Sequence, residues 1–193
     1  TDDGGNVVST TTLTEVSTPG NIWITNDGII FPGTILDYLS DNPTTYATLS
    51  SVAGGVTNVA TALSGPGPLT LFAPPNSAFA AIDQGVLSLL IAPENSGELE
   101  SVLLHHVIPG KVASSFVTDG LIATTTQGNL TFTVSGGIFV TDALTRGTSC
   151  QIGVDSVDIF RSNGVIHSTA CVLTPKSLAD VVVENGLIQL ANA

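Results

Sequence analysis

The hydrophobic side chains of this chain change their spacing near Gly120. Before that residue they recur three or four positions apart, which is the spacing of one face of an α-helix. After it they alternate with polar residues, as Leu130, Phe132 and Val134 do, which is the pattern of a half-buried β-strand. We therefore expect helices in the first part of the chain and β-hairpins in the second.

The helical part is interrupted at prolines. Two short helices are predicted after Pro32, separated at Asn42-Pro43, because the residue before a proline is disfavoured in helical geometry. A further amphipathic helix is predicted before Pro109-Gly110. Its apolar face consists of Leu99, Val102, Leu103 and His106.

A strand, a turn and a helix are predicted around residue 73. The apolar run Leu69–Ala73 ends at Pro74-Pro75, and Asn76 follows where a helix N-cap would accept a backbone amide of the first turn. Asn95, with Glu98 three residues on, predicts a capping box for the later helix. Asn76 and Asn95 are therefore the expected caps.

Two hairpins are predicted beyond Gly120. The first turns at Gly136-Gly137 after the alternating residues 129–135. The second turns at residues 162–164, between an outgoing strand over 152–159 and a return over 165–173. If a bulge corrects its register, this return brings the two cysteines of the chain near each other.

Cys150 and Cys171 are the only cysteines in the sequence. No second pair and no nearby His supplies the other ligands of a tetrahedral zinc site, so a single disulfide is the economical interpretation. Such a bridge would stabilise the fold by about 3 kcal/mol and would imply an oxidising compartment. Two buried free thiols are the alternative.

The charge balance is strongly acidic. Four Lys and Arg residues stand against 16 Asp and Glu, which gives a formal net charge of −12. This charge repels phosphate backbones and anionic lipids, so no nucleic-acid partner is expected. The longest apolar stretch, residues 86–92, is far shorter than the roughly 20 residues that cross a bilayer, so no membrane insertion of this segment is expected.

Asn129 is a glycosylation candidate. Asn129-Leu130-Thr131 is an Asn-x-Thr triplet without an intervening proline, beside Gly128 and a strand-like run. A glycan at this position would agree with a secreted protein.

Three segments resemble, in order, the signature blocks of the fasciclin domain. Residues 69–79 resemble the first block, a strand that closes on Ala-Pro-Thr-Asn before a helix, with Pro75 in place of the threonine. Residues 103–110 are similar to the Tyr-His block, with His106 at the histidine position and another histidine in place of the tyrosine. Residues 158–167 resemble the last block.

The resemblance covers roughly residues 32–176 and implies an α+β fold, a wedge-shaped β-sandwich with several short helices packed on one side. It also implies a secreted or cell-surface protein of adhesion and extracellular matrix, with no known active site. The motif residues are expected to be structural. They are Asn76, His106, Asn163, Gly164 and His167.

Two segments near the start of the chain are repeated near its end. Residues 32–39 echo residues 175–182, and residues 22–30 resemble residues 159–166. The chain thus begins with something like the end of one repeat and finishes with something like the beginning of another.

These similarities divide the chain into three predicted parts. An N-terminal extension at 1–31 resembles the end of a preceding repeat, a fasciclin-like domain occupies 32–176, and a C-terminal tail at 177–193 resembles the start of a following repeat. The Thr-, Ser- and Gly-rich residues 1–20 are expected to form a loose leader or a lone strand.

Three explanations of the terminal parts stay open. The chain is a segment of a tandem array, or its ends complete a neighbouring subunit in head-to-tail assembly, or both ends pack on their own domain. An apolar strip without a partner is costly in water, so the tail is expected to pack either on a neighbouring subunit or on its own domain. The assembly candidates are Ile22, Trp23, Leu178, Val182, Leu187 and Ile188.

The histidines are expected to be structural. His106 lies on the apolar face of its helix and is expected to be buried and bonded to the backbone, whereas His105 is expected to be solvated. His167 lies in a predicted strand, and the sequence leaves open whether Asp158 lies beside it in the fold. Nucleophile elbows, phosphate-binding loops and zinc-protease motifs are missing from the sequence, so no enzyme and no cofactor is predicted.

The acidic residues do not predict a metal site. Glu94, Glu98 and Glu100 lack the alternating ligand spacing of a calcium loop, and so do Asp155 and Asp158. They are interpreted as solvated surface.

The predicted function is that of an extracellular adhesion or matrix module, assembling head-to-tail into fibres or belonging to a tandem array, whose partners are other protein subunits or matrix ligands. The alternative is a monomeric binding module for cell-surface carbohydrate or a protein receptor. It would use the helix with His105 and His106, or the loops at the sandwich edge.

Overall fold

The computed structural model describes the residues of 33–142, 149–153 and 155–175 in full, and the backbone of three short strands before them. Two compact units are distinguished, residues 1–32 and residues 33–193.

The N-terminal unit contains a three-stranded antiparallel sheet. Its strands are β1 (Thr14–Val16), β2 (Ile22–Thr25) and β3 (Gly28–Ile30), with β2 in the middle. Of residues 1–20, for which the sequence predicts a loose leader or a lone strand, β1 is a strand paired with β2, and the others lie outside the described residues. The assembly candidates Ile22 and Trp23 both lie in β2.

Three helices open the second unit: α1 (Ile35–Asp41), α2 (Pro43–Gly55) and α3 (Thr57–Ser64). A capping box starts α1, since the Thr34 hydroxyl accepts from the Asp37 amide while the Asp37 carboxylate accepts from the Thr34 amide at 2.7 Å. Pro43 occupies the first turn of α2, where a missing N–H is tolerated. The predicted break at Asn42-Pro43 is confirmed.

Three more helices follow: α4 (Asn76–Ala80), α5 (Gln84–Leu90) and α6 (Ser96–His105). Helix α6 buries the predicted apolar face, but neither predicted cap is formed. Asn95 stands at the N-cap position of α6, yet its side chain donates to the Leu89 carbonyl at 2.8 Å. The intervening 3₁₀ turn Pro93–Asn95 directs that side chain back to α5.

The described part of the second unit contains eight strands in two sheets. In chain order the strands are β4 (Leu69–Ala73), β5 (Val107–Pro109), β6 (Ile122–Thr125), β7 (Gly128–Val134), β8 (Ile138–Thr141), β9 (Cys150–Ile152), β10 (Ile159–Arg161) and β11 (Gly164–Ser168).

The central sheet has the order β10-β11-β4-β5, and its β4 and β11 are parallel. The outer sheet is the antiparallel meander β6-β7-β8-β9. The hairpin predicted at Gly136-Gly137 is confirmed as β7–β8.

The second predicted hairpin is confirmed only near its turn. Strands β10 and β11 pair antiparallel, but Cys150–Ile152 belongs to the outer sheet and pairs with β8. The outgoing strand cannot extend further back because Asp158 turns the backbone, with φ at 57°.

The central sheet is buried on both faces. Leu71, Ala73 and Ile166 pack against the helices. Phe72 points to the outer sheet, where its ring lies 5.7 Å from the ring of Phe132. The predicted α+β fold is confirmed, with two packed sheets and short helices on one side.

Gly164 should be irreplaceable, because β4 and β11 meet there without room for a side chain. A Cβ atom at Gly164 would lie 2.1 Å from the Leu69 carbonyl oxygen and 3.0 Å from Ile35 Cδ1. We expect Gly164→Ala to lower the free energy of unfolding by about 3 kcal/mol, measured by urea denaturation.

Gly54→Ala is the matched control, since no atom lies within 4 Å of a Cβ at this position in α2. We expect this change to be neutral or to stabilise by up to about 1 kcal/mol. Equal effects of the two alanines would contradict the close approach of the strands.

Candidate functional site

The polar side chains expected to be functional or structural lie inside the second unit. His106 follows the last residue of α6 and is 1% exposed. Its Nδ1 lies 2.8 Å from the Val102 carbonyl oxygen, and the Leu173 amide donates to its Nε2 at 2.8 Å. A carbonyl only accepts, so Nδ1 holds the proton and the ring is neutral. Burial lowers the pKa of His106 from 6.5 to about 4.

His105 is buried too, and the expectation that it is solvated is wrong. Its Nδ1 lies 3.0 Å from the Thr125 hydroxyl, which itself donates to the Gly128 carbonyl. The turn between β6 and β7 thus packs over this side of α6. Burial lowers the pKa of His105, against an opposing effect of the Asp142 charge.

His167 joins three segments of the fold. It donates from Nε2 to the Val112 carbonyl at 2.8 Å and accepts from the Asp158 amide at Nδ1, at 3.2 Å. Its ring stacks on Phe72 with centroids 5.8 Å apart. Burial lowers the pKa of His167.

Asp158 is a neighbour of His167, with its Oδ1 3.9 Å from Nδ1. Its carboxylate accepts from both the amide and the hydroxyl of Ser114. A Ser, an Asp and a His therefore meet, but the hydroxyl proton faces the carboxylate and His167 Nε2 faces a backbone carbonyl. A nucleophilic triad needs the histidine to accept the serine proton, and this arrangement does not provide that.

Asn163 is a junction between helices and sheet. Its Oδ1 accepts from the Ile35 amide at 2.9 Å, and its Nδ2 donates to the carbonyls of Leu63 and Gly65 at 2.8 and 2.9 Å. Its own carbonyl accepts from the Leu69 amide at 3.0 Å. One side chain thus holds the start of α1 and the end of α3 against the central sheet.

Asn76 completes a kinked helix and does not cap its own. Helix α2 leaves helical geometry at Tyr46, with φ −123° and ψ 21°. Asn76 Oδ1 accepts from the Thr48 amide at 2.9 Å, and Nδ2 donates to the Pro43 and Thr44 carbonyls. The N-cap of α4 is Pro75. The distant kink offers this side chain more partners than its own first turn does.

Cys150 and Cys171 form a disulfide, with their Cα atoms 5.7 Å apart. It joins β9 of the outer sheet to the segment after β11. An isolated bridge between Ile152 and Thr169 lies beside it. The segment after β11 is therefore held to the outer sheet, and its Thr169 amide also donates to the Ala73 carbonyl of the central sheet at 3.1 Å.

The outward side of the outer sheet carries eight uncharged side chains, six of them polar. We call it the neutral face. It consists of Ile122, Thr124, Asn129, Thr131, Thr133, Phe139, Thr141 and Gln151. The strand registers form one row from Ile122 through Thr131 to Thr141, and another from Thr133 through Phe139 to Gln151.

The glycosylation candidate Asn129 is exposed on this face, beside Thr124. Ile122, 59% exposed, stands out among its apolar side chains. The alternation in residues 129–135 already indicates one outward strand. The neighbours across the sheet could not be read from the sequence.

Other candidates lie apart from these residues or outside the description. Among the described residues no group of three or more His, Cys, Asp or Glu side chains could hold a metal ion. No helix in the described ranges has the length and apolarity of a membrane span. Leu178, Val182, Leu187 and Ile188 lie outside the described residues.

A family model described as the fasciclin domain matches residues 43–175. The fold is similar to the solved FAS1 domain pair from the insect cell adhesion molecule fasciclin I, with a TM-score of 0.64 and 16% identity. This match covers 86% of the chain and 60% of the domain pair.

Several proteins are similar in sequence. Protein sll1483 of Synechocystis sp. is 36% identical over 142 residues, which are 74% of this chain and 73% of that protein. Human periostin is 31% identical over 121 residues, 63% of this chain and 14% of periostin. Fasciclin-like arabinogalactan protein 15 of Arabidopsis thaliana is 26% identical over 113 residues, 58% of this chain and 24% of that protein.

Acid should destabilise the fold through His106. In the unfolded chain this residue binds a proton near pH 6.5, but in the fold only near pH 4. The lowered pKa of His106 contributes fully to the free energy of unfolding above pH 6.5. This contribution is lost as the pH falls to 4, at about 1.4 kcal/mol per pH unit. We expect about 3 kcal/mol less stability at pH 4 from this residue alone, measured by urea denaturation across that range.

His106→Gln serves as the control, because an amide side chain has both a donor and an acceptor but does not titrate. Between pH 6.5 and 4, the free energy of unfolding of this variant should fall by about 1.4 kcal/mol per pH unit less than that of the parent. His105 and His167 contribute in the same direction in both proteins, since burial lowers both pKa values. An unchanged slope would show that His106 is not buried in neutral form.

Proposed function

Since the chain belongs to the fasciclin domain family, we propose that it is an extracellular adhesion or matrix module that acts through non-covalent contacts and not through catalysis. The observation that supports this most directly is the state of its histidines. All three are buried, and each bonds to a protein group of the fold. Among the described residues they are the side chains best suited to acid–base chemistry near neutral pH, and the bonding of both ring nitrogens of His106 and His167 to the fold supports a structural role for these two. His105 is bonded through Nδ1 alone, and its buried Nε2 has no hydrogen-bond partner.

We infer that the terminal parts of the chain mediate assembly. The hairpins β2–β3 and β10–β11 both turn through two residues. The last paired residues before the turn are Thr25 and Gly28 in the first hairpin, and Arg161 and Gly164 in the second. This shared register supports the repeat read from the sequence between 22–30 and 159–166. A chain with such terminal half-repeats can join copies head to tail or continue into a tandem array.

The alternative is a monomeric module that binds a receptor or carbohydrate. Binding through the helix that carries His105 and His106 loses support, because both side chains are buried and neither can contact a ligand at the surface. Some of the relatives are several times longer than this chain, since the 121 matched residues are 14% of periostin. Their partners therefore do not define the partner of this chain.

If the terminal parts mediate assembly, the C-terminal tail at residues 177–193 is needed for polymers to form. We expect the intact chain to form multimers at rising concentration, seen by light scattering and negative-stain electron microscopy, and a chain without residues 177–193 to stay monomeric. Within the tail, Ile188→Asp should raise the concentration needed for assembly at least tenfold.

Gln189→Asp adds the same charge at the adjacent polar position and should leave assembly nearly unchanged. Monomers of the intact chain at every concentration would contradict assembly between copies. Equal effects of the two aspartates would contradict an apolar contact by the tail.

A further inference from the structure

The segment that follows the disulfide is fastened through titratable side chains. Residues 172–175 belong to no helix or strand of the described part of the chain. The Leu173 amide donates to His106 Nε2 at 2.8 Å. The Thr174 amide donates to Asp142 Oδ2 at 2.9 Å. We call these two hydrogen bonds the exit latch, because the C-terminal tail begins shortly after them.

The His106 half of the latch cannot hold once the ring is charged. Nδ1 already carries a proton, since it lies 2.8 Å from the Val102 carbonyl oxygen, so a second proton has to enter at Nε2. There it replaces the lone pair that accepts from the Leu173 amide. Two N–H groups would then face each other, so the charged ring and this hydrogen bond exclude one another.

Opening of the latch can remain local. The disulfide between Cys150 and Cys171 and the hydrogen bond from the Thr169 amide to the Ala73 carbonyl hold the chain up to Cys171. Neither of these two attachments contains a group that titrates. The residues beyond Cys171 can therefore leave the fold while those before it keep their contacts.

Burial of Leu173 keeps the latch closed while His106 is neutral. The Leu173 side chain is completely buried, in one cluster with Phe72, Leu130 and Phe132. The transfer of such a side chain from the core into water is unfavourable. In acid a charged imidazole would have to stay buried beside the closed segment, and this cost acts against the closed state.

Two titratable groups besides His106 belong to this region. His105 precedes it in the chain, and a charge on His105 disfavours a second charge on His106. Asp142 is buried, and its charge favours a proton on His105. A protonated His105 in turn favours the ionised form of Asp142, which accepts from the Thr174 amide. Acid is therefore expected to break the bond at Leu173 before the bond at Thr174.

We propose that His106 opens the exit latch in acid, so that residues 172–175 leave the fold while the rest of the second unit stays folded. This goes beyond the general loss of stability in acid, since it identifies the segment that leaves first. The latch lies within the domain and works in a monomer. Any consequence for assembly rests on the proposed function of the tail.

The experiment is amide hydrogen exchange of the intact chain, followed by NMR between pH 6.5 and 4.5 and corrected for the exchange rate of an unstructured amide. If opening returns the pKa of His106 from about 4 to 6.5, protection of the Leu173 amide should fall roughly 40-fold over this range. The Thr169 amide, two residues before Cys171, should stay at least roughly tenfold better protected than the Leu173 amide.

His106→Gln should remove the effect, because its amide side chain offers a donor and an acceptor but does not titrate. Protection of the Leu173 amide in this variant should change less than about threefold over the same range. His167→Gln is the matched control, since His167 is also buried but bonds to Val112 and not to the exit segment. It should keep the full loss of protection.

Equal protection of the Leu173 and Thr169 amides at every pH would overturn the proposal, because the segment would then leave only when the whole domain unfolds. An undiminished effect in His106→Gln would overturn it as well. If His106→Gln does not fold, the comparison of the two amides in the parent still decides the question. Light scattering of the same samples reports assembly separately, so a working latch in a chain that stays monomeric would support this proposal and contradict only assembly between copies.

Discussion

The parallel pairing of β4 with β11 is the contact on which the rest of the fold depends. It brings residues nearly a hundred positions apart into one sheet, with Gly164 opposite Leu69 and Ser168 opposite Ala73. The closure of so long a loop costs chain entropy, which burial on both faces of the two strands must offset. The absence of a Cβ at Gly164 allows the strands to begin their pairing, and the Asn163 amide then fastens α1 and α3 to the same point.

The buried polar residues connect separate elements of the fold by hydrogen bonds. His106 bonds α6 to the segment at Leu173, and His167 bonds β11 to the loop at Val112. A buried polar group without partners would cost roughly 1 to 3 kcal/mol, so each such residue also selects the one arrangement that satisfies it. In His106 and His167 both ring nitrogens are engaged in such contacts.

The sequence predicts features that depend on neighbours along the chain. The break at Asn42-Pro43, the apolar face of α6 and the turn at Gly136-Gly137 all follow from local geometry. The missed features depend on distant partners. His105 lies off the apolar face of its helix, and only the packing of the β6–β7 turn buries it. Asn76 has the local signal of a cap, but the kink at Tyr46 offers it better partners.

The chain is fastened to the rest of the fold at both ends of the part of the second unit that the structure describes. Near the entry, Gly33 accepts hydrogen bonds from the Ser162 amide and hydroxyl, and Ile35 donates to Asn163. Near the exit, Cys171 is cross-linked to β9 and Leu173 is bonded to His106. Both attachments flank β11, a strand of five residues in the middle of the central sheet. The entry and the exit are thus fastened on either side of β11, so the two ends of the described domain are linked to each other through a strand that pairs with β10 on one side and with β4 on the other.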